Sequence, residues 1–118
     1  MPPYVPKRGD VVWLNFDPQA GHEQAGRRPA FVVSPEAYNR KTGLLVACPV
    51  TSRVKGYPFE VPLPPGSAVS GVVLSDQIKS LDWKARLAEF ACATDEATVD
   101  EVVARILPLI GVEEDGGR

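Results

Sequence analysis

Short apolar runs, separated by polar segments that contain proline or glycine, follow one another along most of the chain. Their β-branched and aromatic residues are typical of strands. The predicted strands are Asp10–Phe16, a second from Pro29 or just after it to Ser34, Leu44–Val50, Pro58–Leu63, Gly71–Leu81 as one bent strand or two consecutive ones, and Leu87–Ala93. Because strands succeed one another without regular strand–helix–strand alternation, the pattern predicts a mainly β, antiparallel, partly closed sheet or small barrel with a helix packed on it.

A short helix is predicted after the second strand. The stretch Ser34-Pro35-Glu36 is typical of a helix start, with serine as the N-cap and proline at the first helical position. Thr42-Gly43 ends this helix. The strand that follows, Leu44–Val50, is continuously apolar, which predicts burial on both of its faces.

A longer helix is predicted near the C-terminus, capped by Thr94 or Asp95. Its apolar side chains recur at the spacing of one helical face. They are Val99, Val102, Val103, Ile106, Leu107 and Ile110. Pro108 is expected to loosen the last turn, and Gly111 to end it. We therefore expect one domain over residues 1–111 and an acidic, disordered tail over residues 112–118.

Charge is distributed unevenly along the 118 residues, whose formal net charge is −2. Residues 1–60 carry +3, residues 61–94 are neutral and residues 95–118 carry −5. The whole molecule therefore offers no general attraction to nucleic acid, but the basic strand-and-loop region offers a local one. No apolar run approaches the roughly 20 residues of a bilayer-spanning helix, and no signal-like segment opens the chain, so the cytoplasm is the expected compartment.

Nothing in the sequence indicates a metal site or a cofactor. Cys48 and Cys92 lie far apart in apolar segments, without a second cysteine or a histidine at metal-ligand spacing. Both are interpreted as small buried hydrophobic residues. Glycine-rich phosphate loops and nucleophile elbows are also missing from the sequence.

The most polar connection is Gly21–Pro29, which reads GHEQAGRRP and lies between the first two predicted strands. It holds the only histidine, a carboxylate, an amide and two adjacent arginines. Loops held by rigid strands often carry binding and catalytic groups. An ordinary solvated connection fits the same residues equally well.

Acid–base and anion-binding groups elsewhere could meet this loop. The set is His22, Glu23, Arg28, Thr51 and Asp76. It suits metal-free cleavage of RNA, in which the 2′-OH is the nucleophile and the protein supplies a base, an acid and a cation for the developing phosphate charge. Structural alternatives remain open, since Thr51 could simply end a strand, and Asp76 with Gln77 could form a turn.

The chain resembles the MazF/PemK-Kid family of toxins from bacterial toxin–antitoxin pairs. The matching segments are GDVVWLNFDP (Gly9–Pro18), GHEQAGRRPA (Gly21–Ala30), SPEAYNRKTG (Ser34–Gly43), PVTSRVKGYPFEV (Pro49–Val61), LSDQIKSLDWKAR (Leu74–Arg86) and the terminal helix to Leu109-Ile110-Gly111. They cover nearly the whole chain, and their combination is far more specific than any single segment.

This resemblance implies a fold, an activity and partners. The fold is an SH3-like antiparallel barrel of the CcdB/MazF type, usually a homodimer. The activity is metal-independent, sequence-specific cleavage of single-stranded mRNA, leaving 2′,3′-cyclic phosphate and 5′-OH ends and inhibiting translation and growth. The partner is a MazE-like antitoxin whose acidic C-terminal segment covers the RNA groove.

The resemblance also assigns catalytic roles. It implies that Arg28 stabilises the phosphate and donates a proton, that Thr51 hydrogen-bonds the scissile phosphate and that Glu23 is a base or positioning group. A second pattern in the family uses a histidine, an aspartate and an arginine. Here His22 and Asp76 match it, but Leu74 replaces the arginine, so this pattern is incomplete and the first is preferred.

Further residues are assigned to RNA binding, although a solvated charged face is the simpler alternative for several of them. They are Gln24, Arg27, Arg53, Lys55, Tyr57, Gln77, Lys79 and Arg86. Tyr57, between Gly56 and Pro58 in a basic loop, is the candidate for stacking on a base. Trp13 and Trp83 are expected in the core or in dimer contacts.

Two other functions remain alternatives. A CcdB-like toxin would act on DNA gyrase through the end of its C-terminal helix, but this chain continues into the acidic segment Val112–Asp115 and gathers its polar groups in the first loop. An inactive relative would bind RNA or a partner without cutting it.

Overall fold

Seven strands and two α-helices make up the part of the chain that the computed structural model describes, residues 3–16 and 26–111. The strands are β1 (Asp10–Phe16), β2 (Gly26–Val32), β3 (Leu44–Thr51), β4 (Glu60–Pro62), β5 (Val72–Leu74), β6 (Lys79–Asp82) and β7 (Glu89–Ala93). The helices are α1 (Glu36–Thr42) and α2 (Glu96–Ile106), with 3₁₀ turns at Ser75–Gln77 and Leu107–Ile110. None of the described helices is long and apolar enough to cross a membrane.

The strands pair in the order β4-β5-β3-β2-β1-β7, with β6 as an additional neighbour of β3. Every pairing in this order is antiparallel. Together with the C-terminal helix, this arrangement confirms the predicted fold class. Within the described residues the sheet stays open, because β4 and β7, the two strands at the ends of the order, do not pair with each other.

Strand β3 is central because it pairs along three different stretches. It joins β2 through Ala47–Pro49, β6 through Leu44–Ala47 and β5 through Val50–Thr51. The segment Gly71–Leu81 therefore contains two strands, one of the two predicted possibilities, and the 3₁₀ turn Ser75–Gln77 separates them.

The sheet buries apolar side chains on both faces, in two separate clusters. Alternation along β3 sends Cys48 and Val50 to one cluster and Leu45 and Ala47 to the other. The predicted burial of both faces of this strand is confirmed. Helix α2 covers the first cluster, and the N-terminal segment with Trp83 closes the second.

Strand β2 begins at Gly26, earlier than the predicted start at Pro29, and ends at Val32 rather than Ser34. Pairing with β3 begins only at Ala30, so Pro29 lies where the strand has β1 as its one neighbour. Proline is tolerated at such an edge.

Two other predicted strands are shorter in the structure. Strand β4 starts after a turn in which the Glu60 amide donates to the Tyr57 carbonyl at 3.1 Å. Strand β7 starts at Glu89 because Leu87 has a left-handed φ of 53°, which a regular strand excludes.

The assignment of Ser34 as the N-cap of α1 is wrong. Pro35 occupies the cap position without a side-chain hydrogen bond. The Ser34 hydroxyl is engaged elsewhere, because it donates to Asn39 Oδ1 at 2.6 Å and accepts from the Val46 amide at 2.8 Å. The predicted end at Gly43 is confirmed by its left-handed φ of 75°.

Helix α2 is capped by Asp95, one of the two predicted caps, whose carboxylate accepts from the Thr98 hydroxyl at 2.6 Å and the Thr98 amide at 2.9 Å. These two hydrogen bonds lower the pKa of Asp95. Around Pro108 the helix does not loosen, as was expected, but tightens to the 3₁₀ turn Leu107–Ile110, and it ends at Gly111, as predicted.

The apolar face predicted for the C-terminal helix is buried at Val102 and Ile106 but not at its end. Leu107 and Ile110 are 37% and 63% exposed. The 3₁₀ turn has about 3.0 residues per turn instead of 3.6, so the side-chain spacing of the buried face is lost. Residues 112–118 lie outside the described part, and the division into a domain and a tail stays a prediction.

A buried asparagine joins three parts of the chain. Asn39 Nδ2 donates to the carbonyls of Pro6 at 2.9 Å and Ser34 at 3.2 Å, and the Asn39 carbonyl accepts from Trp83 Nε1 at 2.9 Å. Asn39 is 0% exposed. Its amide thereby fastens the N-terminal segment to α1 and closes the second cluster.

The variant Asn39→Asp should be strongly destabilised, because a carboxylate oxygen would face two carbonyl oxygens in a buried site. We expect a loss of about 3 kcal/mol in the free energy of unfolding, measured by urea denaturation at fixed protein concentration. The control Arg40→Gln removes only the exposed ion pair with Glu36 and should cost less than about 1 kcal/mol. Equal losses in both variants would contradict the role of the Asn39 amide.

Candidate active site

A groove of about 600 Å³ runs along the end of β3. One wall is formed by Trp13 of β1 and by Arg27–Pro29 of β2. The floor is Val50–Arg53, and the other wall is Ala68–Ser70. This first groove brings together Arg28 and Thr51, which are far apart in the sequence and were both predicted as catalytic.

A second groove of about 180 Å³ adjoins the first. Its lining includes four of the predicted site residues besides the two that it shares with the first groove. The full lining is Thr51, Arg53, Lys55, Tyr57, Glu60, Leu74, Asp76 and Gln77. Thr51 and Arg53 line both grooves, so the two form one continuous surface from Arg28 to Asp76.

Thr51 stands at the junction of the grooves. Its Oγ1 accepts a hydrogen bond from the Arg53 amide at 3.1 Å, which ends β3 in a local turn. The structural role weighed for this residue is therefore present. It uses only a lone pair of the hydroxyl, so the O–H remains able to donate to a phosphate oxygen.

Arg27 and Arg28 have different surroundings because neighbours in a strand point to opposite faces. The Arg27 guanidinium donates to Asn15 Oδ1 at 2.7 Å and to the Leu87 carbonyl at 2.7 Å, and pairs with Glu89 at 3.2 Å. It thus ties β2 to β1 and β7. Arg28 is half-buried and has no ion-pair or side-chain hydrogen-bond partner among residues 3–16 and 26–111.

Gly71 shapes the first groove, and the sequence analysis gave it no such role. Its φ of +129° and its position bring it so close to β3 that an added Cβ would lie 2.2 Å from the Thr51 carbonyl oxygen. This approach sets the pairing of Thr51 with Val72 and holds the adjacent Ala68–Ser70 wall against β3. A glycine at the start of an apolar run is a weak signal for such a contact.

Glu60 shapes the second groove and was also missed. It is 9% exposed, and its carboxylate accepts from the amides of Lys55 at 3.0 Å and Gly56 at 2.9 Å. Lys55 Nζ lies 5.8 Å from the centre of the Tyr57 ring, which is 57% exposed. A carboxylate inside an otherwise apolar strand is the sequence signal that could have identified it.

Asp76 is exposed in the 3₁₀ turn Ser75–Gln77, close to the buried thiol of Cys48. Cys48 Sγ donates toward the Ser75 carbonyl at 3.8 Å. Burial, with the nearby Asp76 carboxylate, raises the pKa of Cys48 to about 12. The thiol is therefore neutral and packs as the predicted hydrophobe, whereas Cys92 is only half-buried.

Two residues assigned to RNA binding line neither groove. Arg86 Nη1 donates to the Asn15 carbonyl at 3.1 Å, and its guanidinium lies 5.3 Å from the centre of the Phe16 ring. Lys79 lies on β6 and, together with Phe16, lines a separate small cavity. Trp83 is buried in the second cluster, as predicted, while Trp13 lines the first groove.

His22, Glu23 and Gln24 fall outside the described residues, so the structure gives no account of their predicted roles. In the ranges 3–16 and 26–111 no group of three or more His, Cys, Asp or Glu side chains could hold a metal ion.

Residues 7–110 match the model of a protein family described as PemK-like, MazF-like toxins of type II toxin–antitoxin systems. The chain belongs to this family. Among its curated relatives in the PemK/MazF family, the endoribonuclease toxin MazF of Escherichia coli K12 is 48% identical over 108 residues, covering 92% of this chain and 96% of that protein. Endoribonuclease PemK of Escherichia coli is 39% identical, covering 88% of this chain and 81% of that protein.

Solved structures of MazF proteins share the fold. In a MazE–MazF crystal structure from Deinococcus radiodurans, a chain 58% identical to this one superposes with a TM-score of 0.88 and covers 94% of this chain and 100% of that one. A MazF crystal structure from the same organism gives a TM-score of 0.85 at 58% identity, with coverage of 93% and 100%. The expected PemK/MazF-type fold is thereby confirmed.

Replacement of Gly71 by alanine should displace the end of β3. The new Cβ would collide with main-chain atoms of Thr51 and would also disfavour the positive φ, at a cost of about 3 kcal/mol in the free energy of unfolding. The control is Gly66→Ala, because Gly66 has a φ of +84° but no atom within 4 Å of the added Cβ. Urea denaturation should show a much larger loss for Gly71→Ala; equal losses would remove the steric argument.

The neutral thiol of Cys48 should resist labelling in a Cys92→Ser protein. At pH 8 an aromatic disulfide reagent should react with Cys48 orders of magnitude more slowly in the native protein than in denaturant. Since folding raises the pKa from 9.0 to about 12, this group leaves stability unchanged below pH 9 and lowers it as the pH rises toward 12. Rapid native labelling would contradict the assignment.

Proposed function

We propose that this chain is the toxin of a toxin–antitoxin pair and acts as an endoribonuclease on single-stranded mRNA. Membership of the PemK/MazF family and the names of its relatives support this proposal. The observation that carries it is the continuous surface on which Arg28, Thr51, Arg53 and Tyr57 lie within two joined grooves. Such a surface combines a phosphate-binding cation with a platform for bases.

The proposed reaction needs no metal, because the RNA supplies its own nucleophile. The 2′-OH attacks the adjacent phosphorus, the bond to the 5′-oxygen breaks, and the products are a 2′,3′-cyclic phosphate and a 5′-OH. Arg28 stabilises the charge on the phosphate oxygens and donates the proton to the leaving oxygen. Thr51 donates its hydroxyl hydrogen to the scissile phosphate.

Glu23 is proposed as the base or as a positioning group for the 2′-OH. His22 and Asp76 form the secondary candidates. In the second groove, Leu74 presents an apolar side chain where the alternative family pattern has an arginine. The cation for that alternative is therefore lacking at this position, which favours the pattern built on Arg28.

RNA binding is proposed to follow the second groove away from Thr51. Arg53 and Lys55 supply positive charge for phosphates, Gln77 supplies hydrogen bonds, and the exposed Tyr57 ring stacks on a base. Gln24 and Lys79 would extend this surface. Arg27 and Arg86 already hold the ends of strands, so their contribution to RNA binding is expected to be smaller.

The protein is further proposed to act in the cytoplasm as a homodimer whose activity inhibits translation and growth. Its inhibitor would be a MazE-like antitoxin with an acidic C-terminal segment. Carboxylates of such a segment complement Arg28, Arg53 and Lys55 along the joined grooves. A CcdB-like action on gyrase is not favoured, since the relatives are named endoribonucleases.

Purified protein should cut a long single-stranded RNA at a few positions in the presence of EDTA. Arg28→Ala should reduce the rate by at least about 10² because charge stabilisation and proton donation are lost. Arg40→Ala removes an exposed arginine of α1 and should leave the rate unchanged. Primer extension maps the cuts, and sensitivity of the ends to polynucleotide kinase identifies 5′-OH and cyclic phosphate groups.

A requirement for added Mg²⁺ in the wild type would contradict the proposed chemistry. So would full activity of Arg28→Ala. RNA binding without any product would instead indicate a non-catalytic relative, and inhibition of supercoiling by gyrase would support the alternative toxin.

A further inference from the structure

The loop between β3 and β4 is fastened at several points by residues outside the predicted catalytic set. It carries Lys55 and Tyr57, and its Gly56 has a left-handed φ of +82°. A loop with cationic and aromatic side chains is useful for recognition only if its backbone is ordered before RNA arrives, since ordering on binding costs affinity. The question is therefore which residues supply that order.

Glu60 supplies most of the contacts. Its Oε1 accepts from the amides of Lys55 at 3.2 Å and Gly56 at 2.9 Å, and its Oε2 accepts from Lys55 at 3.0 Å. Its own amide donates to the Tyr57 carbonyl at 3.1 Å. Side chain and backbone of a single residue therefore hold both sides of the loop.

The position of Glu60 makes it a rigid support. In the ladder of β4 and β5 it pairs with Leu74, immediately before the turn that carries Asp76. Glu60 thus connects the loop to the strand pair that leads to Asp76. The separation between Tyr57 and Asp76 therefore depends on the Glu60 contacts.

Arg105 of α2 provides a second attachment. Its Nε donates to the Pro58 carbonyl at 2.9 Å, and its Nη1 pairs with Glu101 at 2.9 Å, which holds the guanidinium in place. The contact joins the last turns of α2 to the residue that follows Tyr57.

We infer that Glu60 and Arg105 are positioning residues that hold the Lys55–Tyr57 segment in its RNA-binding conformation. The inference rests on the proposed function, because it assigns the segment an RNA surface. If Glu60 positions the loop, its removal should weaken RNA binding and raise KM. If only its charge mattered, its removal should strengthen binding and lower KM, since a carboxylate beside a polyanion site is repulsive. The sign of the change in KM therefore separates positioning from simple charge.

Glu60→Ala should raise KM about tenfold with kcat changed less than about threefold, because RNA must then order the loop. The substrate is a fluorophore–quencher oligoribonucleotide built around a site that the wild type cuts in a long RNA. Glu60→Gln should fall between the two proteins, since one amide oxygen can accept both loop N–H groups, as Oε1 does here. Arg105→Ala should raise KM by a smaller factor.

Hydrogen exchange gives a readout that needs no RNA. The Lys55 and Gly56 amides should be protected in the wild type and exchange much faster in Glu60→Ala, while residues of α2 keep their protection. The matched control is Glu36→Ala, which removes an exposed carboxylate on α1. It should alter neither exchange in the loop nor KM.

The outcomes separate the two levels of the argument. A wild type that cuts no RNA would overturn the proposed function, and faster exchange of the loop amides in Glu60→Ala would still support the fastening itself. With an active wild type, an unchanged or lowered KM in Glu60→Ala would overturn the positioning role. A loss confined to kcat would overturn it as well, and Glu60→Gln keeps the comparison possible if the alanine variant does not fold.

Discussion

The geometry of the candidate site depends on the approach of Gly71 to the carbonyl of Thr51. No other residue type fits between the start of β5 and the end of β3, because an added Cβ would overlap the Thr51 carbonyl at 2.2 Å. That contact sets the pairing of β3 with β5 and positions Ala68–Ser70, which line the first groove. Strand β5 then continues into the 3₁₀ turn that contains Asp76. The steric constraint at Gly71 thus determines how Thr51 and Asp76, two side chains predicted for the site, lie relative to each other.

Short-range hydrogen bonds then complete what the sheet begins. Thr51 ends β3 by accepting from the Arg53 amide, and Glu60 orders the next loop through the amides of Lys55 and Gly56. In each case a side chain next to a strand end accepts hydrogen bonds from backbone amides that have no strand partner. The structural and functional interpretations of Thr51 are therefore compatible, because the local bond leaves its hydroxyl hydrogen available.

Regular patterns in the sequence were sufficient for the presence and order of the strands, for the second helix and for the fold class, but not for the bounds of every strand. The bounds Asp10–Phe16, the Asp95 cap and the change at Pro108 follow from local propensities, which act within a few residues. Errors arose where a partner distant in sequence decides the conformation. Ser34 contacts Asn39 and Val46 instead of capping α1, and Pro29 is tolerated because β3 joins β2 only from Ala30. The roles of Gly71 and Glu60 likewise depend on contacts that a linear pattern does not contain.

The adjacent arginines show how the fold separates residues that look equivalent in sequence. Arg27 lies opposite Asn15 and is held by it, by the Leu87 carbonyl and by Glu89, so its charge supports the sheet. Arg28 lies opposite the buried Leu14 and, like Arg27, lines the first groove, but it has no ion-pair partner among residues 3–16 and 26–111. A guanidinium already paired with a carboxylate is poorly suited to stabilise a transient phosphate charge, whereas one without such a pair can do so. The partners that the fold brings to each guanidinium, rather than residue type, therefore determine which arginine is suited to chemistry.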